Sequence, residues 1–386
     1  VVRDLTAGRR FTNASPSERA AELLDADSAQ VRSAAGSLLI AEGSIDGHAV
    51  RVALTDRTRS GGALGRQECH ALQALLERSL ADRAAVVLVL DSAGARLDEG
   101  LTALGAFRRL FATALKACLA GVPMLAVIAR DCFGGASMVA ALCGRRLTTP
   151  DARFGLSGPG VIEALGGKSE LDASDSRSVA VLFGAWARLR SGVLDELCAD
   201  DPMALRAAVS AALTGAAGVT LDVAGRHARL RSRLIAAGVV VPGMREKWRG
   251  FTRGSAVSAL DCWLAAEEVL ATDPRTGLDI ELDSPGQSAT RLDESVGLSE
   301  YVTHLALCLA AFGAEGGRVR LTVAGEAAGA IYVALAAPAE RVFARRAAAV
   351  RVLSRDAVTR VLGTPLPEAS LSEALDSGVV DEVLSA

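Results

Sequence analysis

Residues 91–96 read DSAGAR and residues 131–137 read DCFGGAS, and each stretch follows an apolar run, 84–90 and 123–129. Each also opens a segment with helical spacing. Glycine lets the backbone come close to a ligand. A helix N-terminus adds unpaired N–H donors and a dipole that favours negative charge. Two such turns aimed into one pocket suit an anion that forms during a reaction, such as an enolate. The candidate donors are Gly94 and Ala95 in the first turn, and Gly134, Gly135 and Ala136 in the second. The alternative for the glycines is tight helix–sheet packing. A later turn, GEAAGA at 325–330, adds Gly329 and Ala330, and alone such a pattern also fits close packing.

Other polar and small residues could complete a pocket. Gly61, Gly62 and Gly65 lie in SGGALG and either line an acyl channel or form a flexible loop. Ser157, Gly158 and Pro159 are read as a pocket wall, and Glu163 as structural. Gln287, Tyr301 and His304 are the polar candidates from the second half. Tyr301 and His304 sit three apart, on one helical face; a lone histidine on an apolar helix also suits a core. Arg96 either orients the first turn through Asp98 or Glu99 or is a surface charge. Cys132 beside the second turn has no evident histidine partner, so a nucleophilic role has little support.

Seven cysteines without a CxxC pair argue for a reducing compartment and against a disulfide frame or zinc ribbon. The four histidines are far apart, and no cluster has metal-ligand spacing. Phosphate-cradling GxxxxGK[ST] and the GxSxG elbow are both missing. No metal or organic cofactor is therefore expected.

These residues need elements to hold them. A chain of 386 residues, 50% apolar but only 4% aromatic, suits two domains of tightly packed α/β layers. No apolar run approaches the roughly eighteen residues that span a bilayer, and no signal peptide is visible, so a cytoplasmic location is expected. Net charge is −3 with no long basic run, which argues against nucleic acid. The clusters 226–233 and 341–351 are read as solvated helix faces. A helix is expected at 16–27, capped by Ser15 or Ser17, then a hairpin around Asp46-Gly47 and a helix over 66–82. Strands 84–90, 123–129 and 145–149 alternate with helices 101–120 and 134–144, a βαβ rhythm. Residues 174–246 read as mostly helical. Helix 255–271, strand 277–282, turn DSPGQ, helix 293–315, strand 318–323 and helix 330–337 then repeat the first order, which suggests duplication.

The run DSAGARLDEG (91–100) resembles the DSGGARLQEG of the carboxyltransferase branch of the crotonase superfamily. CFGGASMVAALC (132–143) resembles its second glycine turn, ARFGLSGPGVIE (152–163) its GLNGPEVIE segment, and SGGALG its early glycine loop. Within that branch, residues 11–190 resemble the beta subunit of biotin-independent malonate decarboxylase. Residues 255–386 resemble the later part of its gamma subunit, through DSPGQ, RLDESVGLSEYVTHLA and GEAAGA. The two subunits read as fused, the first half of the gamma part as compressed, and Ala93 stands where a glycine is usual.

The resemblance implies an α/β, crotonase-like fold of repeated ββα units. It implies an N-terminal domain (1–195), a helical connector (196–254) and a shortened C-terminal domain (255–386). It implies that backbone amides at the second glycine turn bind the thioester oxyanion, that Gly329 and Ala330 match the family's other oxyanion site, and that a malonyl thioester is decarboxylated through an enolate, most simply malonyl-ACP to acetyl-ACP, for polyketide or fatty-acid chain initiation. The acyl group would ride on an acyl carrier protein or on CoA. The alternatives are a biotin-dependent acyl-CoA carboxyltransferase component and a non-catalytic scaffold. A homodimer is expected, with Gly134–Ala136 of one chain facing Gly329–Ala330 of the other; pairing within one chain is the alternative.

Overall fold

The computed structural model describes residues 10–216, 221–242, 248–365 and 367–384. The first sheet takes strands β1 (Gln30–Ala35), β2 (Leu38–Ile45), β3 (His48–Thr55), β4 (Ala85–Ser92), β5 (Met124–Cys132), β6 (Arg145–Thr148), β7 (Arg153–Phe154) and β8 (Glu196–Leu197). They lie in the order β1-β2-β3-β4-β5-β6-β8, with β7 also on β5. The β1–β2 and β2–β3 pairs are antiparallel, and every pair from β3 onward is parallel. Parallel strands covered on both faces read as continuous apolar runs, and β4 is one. Its Val86, Leu88 and Leu90 point into the main core; Val87 and Val89 point into a second core under Phe11, Leu23, Leu205 and Val209. That split is the strand period of two.

The second sheet repeats the parallel part. It takes β9 (Gly250–Phe251), β10 (Leu278–Ser284), β11 (Val319–Ala328), β12 (Arg341–Ala344), β13 (Ala349–Arg351) and β14 (Glu382–Val383), ordered β14-β12-β11-β10-β9 with β13 on β11. All its pairs are parallel. One apolar core runs from the first sheet into the second, through helices Gly100–Leu119, Leu298–Ala314 and Gly329–Ala336. Arg108 ties the halves: its guanidinium donates to Ala336 O at 3.1 Å, Gly378 O at 3.0 Å and Asp381 at 2.9 Å.

Several expectations need correction. Ser15 caps the first helix with Glu18 in a capping box, but that helix ends at Leu23. Strand β1 was not expected; it is an exposed edge with no buried side to betray it. The long helix over 293–315 is two, Arg291–Ser295 and Leu298–Ala314, broken where Gly297 takes φ 82°. The cluster 226–233 is not simply a solvated face. Arg226 is buried, donating to Ala141 O at 2.9 Å and pairing with Glu300, and Arg233 donates to Gly192 O at 2.8 Å. The cluster 341–351 is two short strands, not a helix. Among the described residues no helix is long and apolar enough to cross a membrane.

Candidate active site

The first site is built where β4 and β5 end. Gly94 takes φ 114° and Gly134 φ 56°, both in the region that favours glycine. A Cβ on Gly134 would lie 3.2 Å from the Gly94 Cα, so the two turns touch through backbone. Ala93 N–H donates to Gly61 O at 3.0 Å, Leu64 N–H to Gly94 O at 2.8 Å, and Arg96 N–H to Leu64 O at 3.1 Å. Such a parallel bridge turns the N–H of Ala95 away from Leu64. Gly134 spends its own N–H on Leu156 O at 2.9 Å. Among the described residues nothing accepts from the N–H groups of Ala95 or Gly135. A Cβ on Gly135 would lie 2.6 Å from the Phe107 ring, so the second turn packs directly on that ring.

The second half copies this turn position by position. Gly94 N–H donates to Ser92 Oγ at 3.2 Å, and Gly286 N–H donates to Ser284 Oγ at the same distance. Gly286 has φ 114° and Gly329 φ 61°. Val257 N–H donates to Gly286 O at 2.9 Å, as Leu64 does to Gly94. One difference changes the donors on offer. Where the first half has Ala95, the second has Gln287, whose Oε1 accepts the N–H of Ala330 at 3.0 Å. The expected open donor at Ala330 is therefore occupied from within the chain.

Both turns line one cavity of about 150 Å³ in a single chain. Ala93, Gly94, Ala95, Gly134, Gly135, Ser157, Gly158, Gln287, Gly329 and Ala330 all contribute to its wall. This corrects the expected inter-chain pairing: the halves of the site meet without a second copy. Ala136 does not line it; it is buried one residue further along the helix. Gly61, Gly62 and Gly65 lie behind the first turn rather than on the wall, and a Cβ on Gly62 would strike Asp91 O. Their role is to let the early loop press against that turn.

Tyr301 and His304 do not reach the cavity. Both are fully buried; Tyr301 Oη donates to Leu230 O at 3.0 Å. His304 Nε2 lies 3.1 Å from His227 Nδ1, and the His227 ring stacks on Trp263 at 4.5 Å. Burial, with Arg226, His227 and Arg229 nearby, pushes His304 down to about 2; burial and Arg231 lower His227 as well. The shared face of Tyr301 and His304 is thus a core face. Cys132 is fully buried and burial raises its thiol well above the usual range, which suits packing and not nucleophilic attack. Arg96 is no surface charge: it pairs with the buried Glu68 and, at 3.0 Å, with Glu99. Glu163 Oε2 accepts Ala173 N–H at 2.7 Å, a structural contact.

One feature of the site escaped the sequence reading. Glu294, from the second half, accepts the N–H of Ser157 at 2.6 Å and of Leu156 at 3.2 Å, and faces Arg188 at 3.5 Å. Burial raises this carboxyl, against the pull of Arg188 and the two N–H groups. The chain from Glu294 through Leu156 to Gly134 sets the second turn. Ser157 stands on the cavity wall as expected; its Oγ is buried and has no hydrogen-bond partner among the described residues. Among the described residues no ionisable side chain lines the cavity, and no group of three His, Cys, Asp or Glu could hold a metal ion.

Comparisons with known proteins agree on the architecture. The carboxyl transferase domain matches residues 11–212, and the malonate decarboxylase gamma subunit matches residues 252–375. The acetyl-coenzyme A carboxylase carboxyl transferase subunit beta of Fusobacterium nucleatum is 36% identical over 122 residues, 31% of this chain and 40% of that protein. The methylmalonyl-CoA carboxyltransferase 12S subunit of Propionibacterium freudenreichii is 33% identical over 135 residues, 35% of this chain and 25% of that protein. The chain thus spans less than half the length of these curated relatives. In a crystal structure of a Pseudomonas malonate decarboxylase hetero-tetramer in complex with malonate, one chain is 31% identical. It superposes with a TM-score of 0.52 over 55% of this chain and 86% of that one.

Proposed function

This chain belongs to the carboxyl transferase family, with malonate decarboxylase beta-like and gamma-like parts fused on a crotonase-like α/β fold, and from that premise we propose that it decarboxylates a malonyl thioester. The observation that carries the reading is the pair of unclaimed N–H groups, Ala95 and Gly135, beside a cavity without an ionisable side chain. The thioester oxygen sits on these two donors. When the bond between the methylene and the carboxylate carbon breaks, its electron pair moves into the thioester and places negative charge on that oxygen, and CO₂ leaves. Donors fixed before the reaction need no reorganisation and act strongly in a water-poor site. The enolate carbon then takes a proton from water, because no acidic side chain lies on the wall.

The cavity volume fits the acyl group. An apolar cavity of this size admits benzene, and a malonyl group has a similar count of non-hydrogen atoms. The wall continues past Val352 and Leu353 into a groove that carries Arg346, Arg351 and Arg355. Arg351 and Arg355 pair with Glu368, and Arg351 also with Glu326, whereas Arg346 has no acidic partner among the described residues. This rim suits the phosphate of a phosphopantetheine arm and the acidic surface of an acyl carrier protein, which favours malonyl-ACP and a role in chain initiation for polyketide or fatty-acid synthesis. A homodimer and a cytoplasmic location belong to the same reading.

The second reading is a carboxyl transferase in which the same enolate exchanges a carboxyl group with biotin. The curated relatives favour it by name. Intact-protein mass spectrometry separates the two: malonyl-ACP, or malonyl-CoA as the other arm, is incubated with the protein alone. Conversion to the acetyl form without biotin supports decarboxylation. Survival of both thioesters contradicts it.

A further inference from the structure

The internal repeat leaves one asymmetry unexplained by decarboxylation alone. In the first half Ala95 is too small to cover its turn, and two N–H groups stay free. In the second half Gln287 covers the matching position. Its Oε1 must face the Ala330 N–H, since the amide nitrogen there would set donor against donor. That orientation turns Nε2 away from Ala330. Among the described residues nothing accepts from Nε2. The second half therefore offers the cavity a side-chain NH₂ where the first half offers backbone N–H groups.

Ser157 lines the same cavity. Its residue is 3% exposed and its Oγ has no partner. A buried hydroxyl left unpaired destabilises the fold, so its placement needs a reason. Ser157 and Gln287 also share a small neighbouring hollow of about 20 Å³ with Gly329 and Leu353. Two uncharged polar side chains thus border one end of an otherwise apolar cavity, and among the described residues its wall carries no cationic side chain.

We propose that Ser157 Oγ–H and Gln287 Nε2–H form the subsite for the carboxylate that the substrate loses. This rests on the decarboxylase reading above. An arginine or lysine at this place would neutralise the carboxylate and stabilise it against loss of CO₂; interactions that favour the ground state do not speed the step. Neutral donors orient the group and leave it poorly compensated. With the thioester oxygen held on Ala95 and Gly135, a second fixed point sets the torsion about the breaking bond. That bond can then stand perpendicular to the thioester plane, where its electron pair overlaps the carbonyl π system. CO₂, once formed, is uncharged and a poor acceptor, so the subsite releases it.

The test compares a ligand with the carboxylate to one without it. Steady-state decarboxylation of malonyl-CoA is measured with competitive inhibition by acetyl-CoA, in wild type, Ser157→Ala and Gln287→Glu. Glutamate keeps an oxygen for the Ala330 N–H, replaces the donor with an acceptor and sets a like charge against the substrate carboxylate. The expected result is a loss of kcat/KM of about tenfold in Ser157→Ala and about a hundredfold in Gln287→Glu, with the acetyl-CoA inhibition constant within about twofold of wild type. Unchanged kcat/KM in Ser157→Ala overturns the proposal, as does an acetyl-CoA constant that worsens in step with it. Should Gln287→Glu not fold, Ser157→Ala decides by the same two numbers. If wild type binds malonyl-CoA without turning it over, the decarboxylase reading fails separately. The subsite is then read by calorimetry: tighter binding of malonyl-CoA than acetyl-CoA, abolished in Ser157→Ala, supports it, and equal binding overturns it.

Discussion

Glu294 accepts the backbone N–H of Ser157 at 2.6 Å across the boundary between the two halves. The carboxylate has no exposed surface, and its counter-charge is the equally buried Arg188, which also donates to Phe154 O at 2.8 Å. A buried pair of this kind adds little net stability, but removing one partner strands the other charge. Glu294→Ala should therefore lower unfolding free energy by about 3–5 kcal/mol, read from the midpoint of urea denaturation. A Glu294→Ala protein with the wild-type midpoint would mean that the pair does not hold the Leu156–Ser157 wall.

The His227–His304 pair gives a pH signature away from the cavity. Both histidines are held below the unfolded value of about 6.5, His304 at about 2. The unfolded chain therefore binds more protons below that pH. The His304 contribution is complete above about pH 6.5 and is lost as pH falls toward 2, at roughly 1.4 kcal/mol per pH unit, and His227 adds a loss of the same sign. Denaturation midpoints at pH 7.5 and pH 5 should differ, and His304→Leu should shrink that difference. An equal difference in wild type and variant would assign the acid sensitivity elsewhere.

Turnover itself should show no such dependence. With no ionisable side chain on the cavity wall, kcat should be flat from about pH 6.5 to 9, since there is no general acid or base to titrate. A bell-shaped profile in a range where the protein remains folded would reveal a catalytic acid or base from outside the wall.

The placement of both turns in one chain predicts the outcome of complementation. Gly329→Val puts a side chain on Gln287 Oε1, 2.5 Å from the added Cβ, in a backbone conformation with φ 61°. Gly135→Val blocks the other turn. Mixing the two proteins under verified subunit exchange should restore no activity, because each chain carries one damaged half of its own site. Recovery would place the working site between chains.

The turns were legible because their chemistry is local: a glycine after an apolar strand, repeated at 94, 134, 286 and 329, needs no knowledge of distant residues. The parallel rhythm of 84–90 and 123–129 was legible for the same reason. Glu294 and Arg188 were not. They lie 106 residues apart, and in sequence each looks like an ordinary surface charge. Tyr301 and His304 show the complementary failure. Their spacing gave a shared face but not what that face would meet, and it meets His227 and Leu230 from the connecting helix. Gln287 was singled out as polar, yet its bond to Ala330 depends on the register of β10 against β11.

The central claim is that backbone donors at the first-half turns, and no side-chain nucleophile, carry the reaction. The direct measurement is the initial rate of CO₂ release from malonyl-ACP by wild type, Gly135→Val and Cys132→Ala. Valine at 135 meets the Phe107 ring and displaces the N–H, so the rate should fall about a hundred- to a thousandfold. Cys132→Ala should stay within about threefold of wild type, since the buried thiol touches no substrate. An inactive Cys132→Ala beside an active Gly135→Val would contradict the account and point to covalent catalysis.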